Sequence, residues 1–166
     1  KQSIDHILAN GITSFHEAGS GASWVELYHK LLRRDELKIR LYVMLSGDDE
    51  DLLLDYFAKG IFIDSLHRLT IRSVKLYADG ALGSRGAWLL KAYSDAPGKF
   101  GHNVRDMEAL NKLTLAATQA GFQVCTHAIG DRGNREVLDM YARAFEVYPK
   151  RKNNSRYRIE HAQHIN

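Results

Sequence analysis

The sequence predicts an α/β protein with a mainly parallel sheet, on three observations. Short apolar runs alternate with longer segments whose apolar residues recur at helical spacing, the order expected when helices cross over between parallel strands. The helical segments stop at Gly or Pro, as chain breakers should place them. Two strand-like runs, 121–127 and 156–161, each close on a histidine, His127 and His161. Folds of this class gather their chemistry at the C-terminal ends of their strands.

The elements follow in order. Residues 3–9 read as the end of a helix, with Ile4, Ile7 and Leu8 on one face and Asn10-Gly11 as its stop. Residues 12–16 form a short strand ending at His16. Residues 24–33 place Trp24, Leu27, Tyr28, Leu31 and Leu32 at helical spacing, and 38–45 is the next strand. Asp48-Asp49-Glu50-Asp51 puts acids at the start of a helix that runs to about Lys59, where they favour the helix dipole, and Gly60 ends it. In the strand 71–80, Val74, Leu76 and Ala78 share one face while Ser73, Lys75 and Tyr77 share the other. Residues 79–104 show neither period. Their glycines and Pro97 describe a shaped loop, and Trp88, Leu89, Leu90, Tyr93 and Phe100 argue against disorder, so a cover over the site is expected. Residues 105–120 form a helix through Met107, Leu110, Leu113, Leu115 and Ala117, ended by Gly121. Residues 131–147 form another through Val137, Leu138, Tyr141 and Phe145, closed by Pro149.

Chemistry concentrates at three residues. One histidine at a strand end is more often a hydrogen-bonded structural residue than a ligand, but His127 and His161 occupy equivalent places a helix apart, which suits a metal site. Lys75 sits inside a strand-like run. A lysine there is either an edge residue facing water or a buried cation that must be paired or chemically changed.

Three ordered motifs carry a resemblance. Val74-Lys75-Leu76-Tyr77-Ala78-Asp79-Gly80-Ala81-Leu82-Gly83-Ser84-Arg85, Thr126-His127-Ala128-Ile129-Gly130-Asp131-Arg132 and Arg158-Ile159-Glu160-His161-Ala162-Gln163 resemble the strand-four, strand-five and strand-six signatures of the metal-dependent amidohydrolases. The subgroup they are most similar to is the YtcJ-like one, with the N-substituted formamide deformylases. This resemblance implies part of a (β/α)8 TIM barrel with one or two divalent metals, usually zinc, at its C-terminal mouth. It implies Lys75, as a carboxylated lysine, together with His127 and His161 as metal ligands, and hydrolysis of carbon-nitrogen bonds by an activated water. A carbamate would turn a costly buried cation into an anionic ligand, and neutral imidazoles suit zinc.

The family's strand-one His-x-His pair has no counterpart among the eight histidines, and its strand-eight aspartate, the general acid/base, is expected beyond Asn166. Residues 1–166 are therefore expected to be a single fragment of a catalytic barrel, inactive by itself, since such barrels need about 250 residues. Asp79 and Arg85 are candidate substrate contacts, the second for an anionic group. Asp131 is expected to cap the helix after it, and His16 to line the mouth without being singled out as a ligand.

Composition narrows the classes. The net charge is only +3, and the densest basic run, 150–156, reads as a solvated loop, so no nucleic-acid partner is expected. No stretch approaches the roughly 20 apolar residues of a membrane span. No disulfide can form within a chain holding only Cys125, which reads as a core residue. A small-molecule substrate, a cytoplasmic location and, because a partial sheet exposes its edges, a homo-oligomer are expected. The alternative is a catalytically silent, barrel-derived binding domain.

Overall fold

The computed structural model describes residues 2–166, which fall into two compact units, one ending at Val74 and the other spanning Lys75–Asn166. The first unit contains α1 (Gln2–Ala9), β1 (Ser14–Ser20), α2 (Ala22–Arg33), β2 (Arg40–Ser46), α3 (Glu50–Lys59), β3 (Phe62–Ile63) and the start of β4 (Leu69–Tyr77). β1 pairs in parallel with β2, Ser14 opposite Arg40, and β4 is the next strand in the order. Val43, Leu45, Leu69, Ile71 and Val74 have no exposed surface, the near-continuous burial of strands covered on both faces. One carboxylate sets two helix starts: Asp49 accepts from Leu52 N at the head of α3 and from Ala22 N at the head of α2.

The first strand differs from the sequence reading. It spans Ser14–Ser20 rather than 12–16, so His16 is its third residue, stacked on Tyr42 with ring centroids 4.7 Å apart, and not the end of the strand. Glu17-Ala18-Gly19-Ser20 has no apolar period to announce a strand. The ladder from β2 carries it forward, with a register shift between Ala18 and Ser20 that Gly19 absorbs at φ 96°. β3 was also silent: its two residues pair antiparallel with β4, Phe62 opposite Ile71, and two residues are too few to show a period.

The second unit holds α4 (Met107–Ala120), β5 (Gln123–Ala128), α5 (Asp131–Val147), a 3₁₀ helix (Pro149–Asn154) and β6 (Arg158–His161). The strands run in the order β4, β5, β6, and β5 and β6 are parallel, His127 opposite Glu160. α4 begins at the Asp106 cap and ends at Gly121, which takes the left-handed conformation at φ 84°. Its buried face is Leu110, Thr114, Ala117 and Thr118, whereas Leu113 and Leu115 are only half-buried. The threonines qualify for the core because the Thr118 hydroxyl donates to Thr114 O at 2.6 Å. In α5 the buried face is Val137, Met140, Tyr141 and Ala144, while Leu138 is half exposed.

Residues 150–156, expected as a loop, lie mostly in the 3₁₀ helix that Pro149 opens, and Arg151 donates to Gln119 O at 2.9 Å. The long excursion after β4 forms no helix and no strand beyond isolated bridges such as Asp79 with Asn103, in keeping with the sequence. Backbone bonds fix it, among them Leu89 N to Phe100 O at 2.7 Å and Val104 N to Ala78 O at 3.0 Å.

Candidate metal centre

β4, β5 and β6 each deliver one of the three residues singled out by sequence. Lys75 is 4% exposed, which rules out the edge-lysine reading. Its ammonium lies 3.5 Å from the centroid of the Tyr77 ring and donates to Leu76 O at 3.2 Å. Burial pulls the Lys75 amine down to about 8, against the opposing pull of the Glu160 carboxylate and of Cys125.

His127 and His161 touch, with ring centroids 4.5 Å apart in an edge-to-face arrangement. Strand alternation alone would not do this. In the ladder His161 stands opposite Ala128, a position that faces away from His127. The backbone turns left-handed at His161 (φ 79°) and Ala162 (φ 45°), which brings the imidazole round to the His127 side. Ala162 N to Ala128 O at 3.1 Å and His164 N to Ile129 O at 2.9 Å hold that turn, and the Asn134 side-chain amide donates to His164 O at 3.0 Å.

Burial lowers the His127 pKa, and His161 and Lys75 lower it further, while a backbone bond at Gly80 and the Asp79 carboxylate oppose them. The imidazole is thereby kept neutral, the form that binds metals. Its Nε2 is buried without a hydrogen-bond partner. Two imidazoles in contact, one with an orphaned buried nitrogen, and a buried amine of lowered pKa make a donor set that fits a borderline divalent cation. Among the described residues no three of His, Cys, Asp and Glu are grouped to hold a metal, so the set depends on Lys75.

The other sequence candidates sit differently. The Asp79 side chain has no exposed surface. It accepts from Ile129 N (2.9 Å), Gly130 N (2.8 Å) and Trp88 N (2.9 Å). That leaves it no open face for the substrate contact expected of it. Arg85, at φ 56°, pairs at the surface with Asp95 at 2.9 Å. Asp131 is the first residue of α5, not its cap; Gly130 occupies the cap, and Asp131 accepts from Leu90 N at 2.8 Å and Arg132 N at 2.9 Å. Cys125 is buried in the core, as the sequence reading expects.

Glu160 escaped the sequence reading. It pairs with Arg158 at 2.6 Å and its charge reaches Lys75. The period of β6 puts it beside Arg158, but only the register with His127 turns that face inward.

Strand-end imidazoles, a buried strand lysine and alternating helices can be set beside known proteins. The amidohydrolase family model matches residues 1–166, and the chain belongs to that family. It is 43% identical over 97 residues to the protein LONG AFTER FAR-RED 3 of Arabidopsis thaliana, covering 58% of this chain and 16% of that protein. Over 91 residues it is 42% identical to YtcJ of Bacillus subtilis, named as an amidohydrolase, covering 55% of this chain and 16% of YtcJ. Among solved structures it is similar to two uncharacterised metal-dependent hydrolases. The one from Pyrococcus furiosus has a TM-score of 0.80 at 27% identity, covering 95% of this chain and 36% of that one. The one from Pyrococcus horikoshii OT3 has a TM-score of 0.77 at 28% identity, covering 95% and 35%. The fold is thus part of a (β/α)8 barrel, and the chain spans about a third of these solved relatives. No helix among the described residues is long and apolar enough to cross a membrane.

Proposed function

We propose that the protein carrying this chain is a metal-dependent hydrolase of carbon-nitrogen bonds, acting on a small-molecule amide, formamide or related substrate. The observation that carries it is the contact of His127 with His161 at the ends of neighbouring parallel strands, with buried Lys75 on the next strand. These three residues would hold one or two divalent metals, zinc by their chemistry. The metal, when bound, supplies a water acidic enough to attack near neutral pH and polarises the carbonyl it attacks.

The chain's own residues supply the rest. Burial lowers the His127 pKa so that its imidazole presents a lone pair, His161 lies in contact with it, and Lys75 with its lowered pKa offers an amine that can take up carbon dioxide and become an anionic ligand. Arg85 would meet an anionic substrate group in exchange for Asp95.

The test is metal analysis of the full-length protein beside a hydrolysis assay on a panel of N-substituted formamides and amides. Zinc should copurify, and His127→Ala or His161→Ala should lower its content at least several-fold and abolish turnover. A full-length protein that folds, binds no zinc and hydrolyses nothing on the panel would overturn this reading in favour of a silent binding domain.

A further inference from the structure

The turn that follows β6 is made by residues that would not choose it. His161 and Ala162 both take positive φ, and His161-Ala162-Gln163-His164 contains no glycine or asparagine to make that conformation easy. Such backbone persists only where its surroundings hold it. Two of the ties are backbone bonds, Ala162 N to Ala128 O and His164 N to Ile129 O, which need no particular side chain. The third is a side chain. Asn134, in the first turn of α5 and 2% exposed, directs its Nδ2 at three carbonyls: Gly130 O at 2.8 Å, His164 O at 3.0 Å and Ala128 O at 3.3 Å. Its Oδ1 is buried without a hydrogen-bond partner, so the amide is held by its N–H groups alone. Three carbonyl oxygens around one terminal group require a donor there, which fixes the orientation of the amide. One amide therefore joins the end of β5, the start of α5 and the turn that swings His161 round.

We propose that Asn134 is a positioning residue for His161, clamping the turn after β6 to the end of β5 so that the second imidazole lies on the first. The clamp and the contact it serves share an atom. Ala128 O, on the residue next to His127, accepts both from Asn134 Nδ2 and from the backbone N–H of Ala162, the residue next to His161. An ionised aspartate in place of Asn134 would have the same shape, but it could not donate and would set its charge against three carbonyl oxygens. The consequence for a metal rests on the reading of His127 and His161 as ligands, whose orientation such outer groups sustain. The placing of the His161 ring does not depend on that reading.

Crystals of the full-length protein, stripped with a chelator, test the placement without a metal. In the wild type the Asn134 amide should bond His164 O, and the His127 and His161 rings should lie about 4.5 Å apart between centroids. In Asn134→Ala and Asn134→Asp the turn should open and the rings part, while β5 and α5 keep their course. A folded variant whose rings stay in contact overturns the proposal. So does a wild type in which Asn134 bonds none of the three carbonyls, and the wild type alone decides where neither variant folds. Zn(II) affinity is then measured by competition with a chromophoric chelator for the wild type, the two Asn134 variants and Val137→Ala. That last change opens a cavity under the same helix and removes no hydrogen bond to the turn. Loss of the Asn134 amide should weaken zinc about 10- to 100-fold, and Val137→Ala should stay within about twofold of wild type. Equal weakening by the two kinds of change would show a general loosening of α5 and overturn the proposal. Parted rings with unchanged zinc affinity, or a wild type with its rings in contact that binds no zinc, would support the clamp and defeat the metal reading instead.

Discussion

At the scale of single residues, Lys75 has the clearest energetic signature. Its amine titrates near 8 in the fold against 10.5 ordinarily, because burial penalises the charged form. Between about pH 8 and 10.5 the unfolded state therefore holds a proton that the folded state has released. By linkage, stability attributable to this group rises with pH across that window, and below it the metal-free protein carries a penalty of roughly 3 kcal/mol. Tyr141 and Tyr157 act in the opposite sense at the alkaline end, since burial raises both phenols and unfolding then becomes easier once free tyrosine ionises. A comparison with Lys75→Met isolates the lysine. In metal-free full-length protein the variant should be more stable by about 1–3 kcal/mol at pH 7, and the gain should shrink towards pH 10. Urea denaturation at several pH values checks this, and a destabilised variant at pH 7 would contradict it. Lys75 also shows how far letters reach: the motif located it, but burial decided between a surface lysine and a buried amine.

At the scale of elements, the β5–α5 turn depends on close backbone approach. Gly130 lies so near the excursion that its Cβ would meet Trp88 O at 2.0 Å and Trp88 N at 2.6 Å. Nothing flexible can yield there, because the contacts are backbone atoms. Gly130→Ala should therefore cost about 3 kcal/mol or more and loosen the 79–106 segment. Gly83→Ala, which meets nothing within 4 Å, should stay within about 1 kcal/mol of wild type. Thermal melts give the stabilities, and protease cleavage within 79–106 reports the loosening; equal behaviour of the two variants would contradict the prediction. The helices were legible from their periods, with Gly60 and Gly121 stopping them where the letters placed the stops. Only the start of the Ser14–Ser20 strand was legible, because its second half, Glu17-Ala18-Gly19-Ser20, is small and polar and follows its partner's ladder.

At the scale of the whole molecule, β1 and β6 are the outermost strands of their units' orders. Beside β1 an apolar hollow of about 370 Å³ is lined by Phe15, Trp24, Leu27 and Leu31 among others, and Phe15 and Trp24 are exposed. Exposed apolar surface next to an unpaired strand edge drives association. The isolated 166-residue chain should therefore oligomerise or aggregate, as light scattering over a concentration series would show. A cooperatively unfolding monomer at high concentration would count against it.

Taken by itself, the sequence determined the alternation of strands and helices, the family, and the three residues on which the candidate centre rests. Those properties are local: a period, a stop residue, a motif on one strand. Tertiary structure alone decided the rest. The left-handed turn at His161 and Ala162 swings one imidazole onto another. The register of β5 with β6 puts Glu160 beside His127. The meeting of Trp88, Ile129 and Gly130 on one carboxylate turns Asp79 from a turn residue into a buried anchor. Each joins residues distant in sequence, through pairings that no single segment encodes, because the free energy of such a contact belongs to both partners and to the backbone that brings them together.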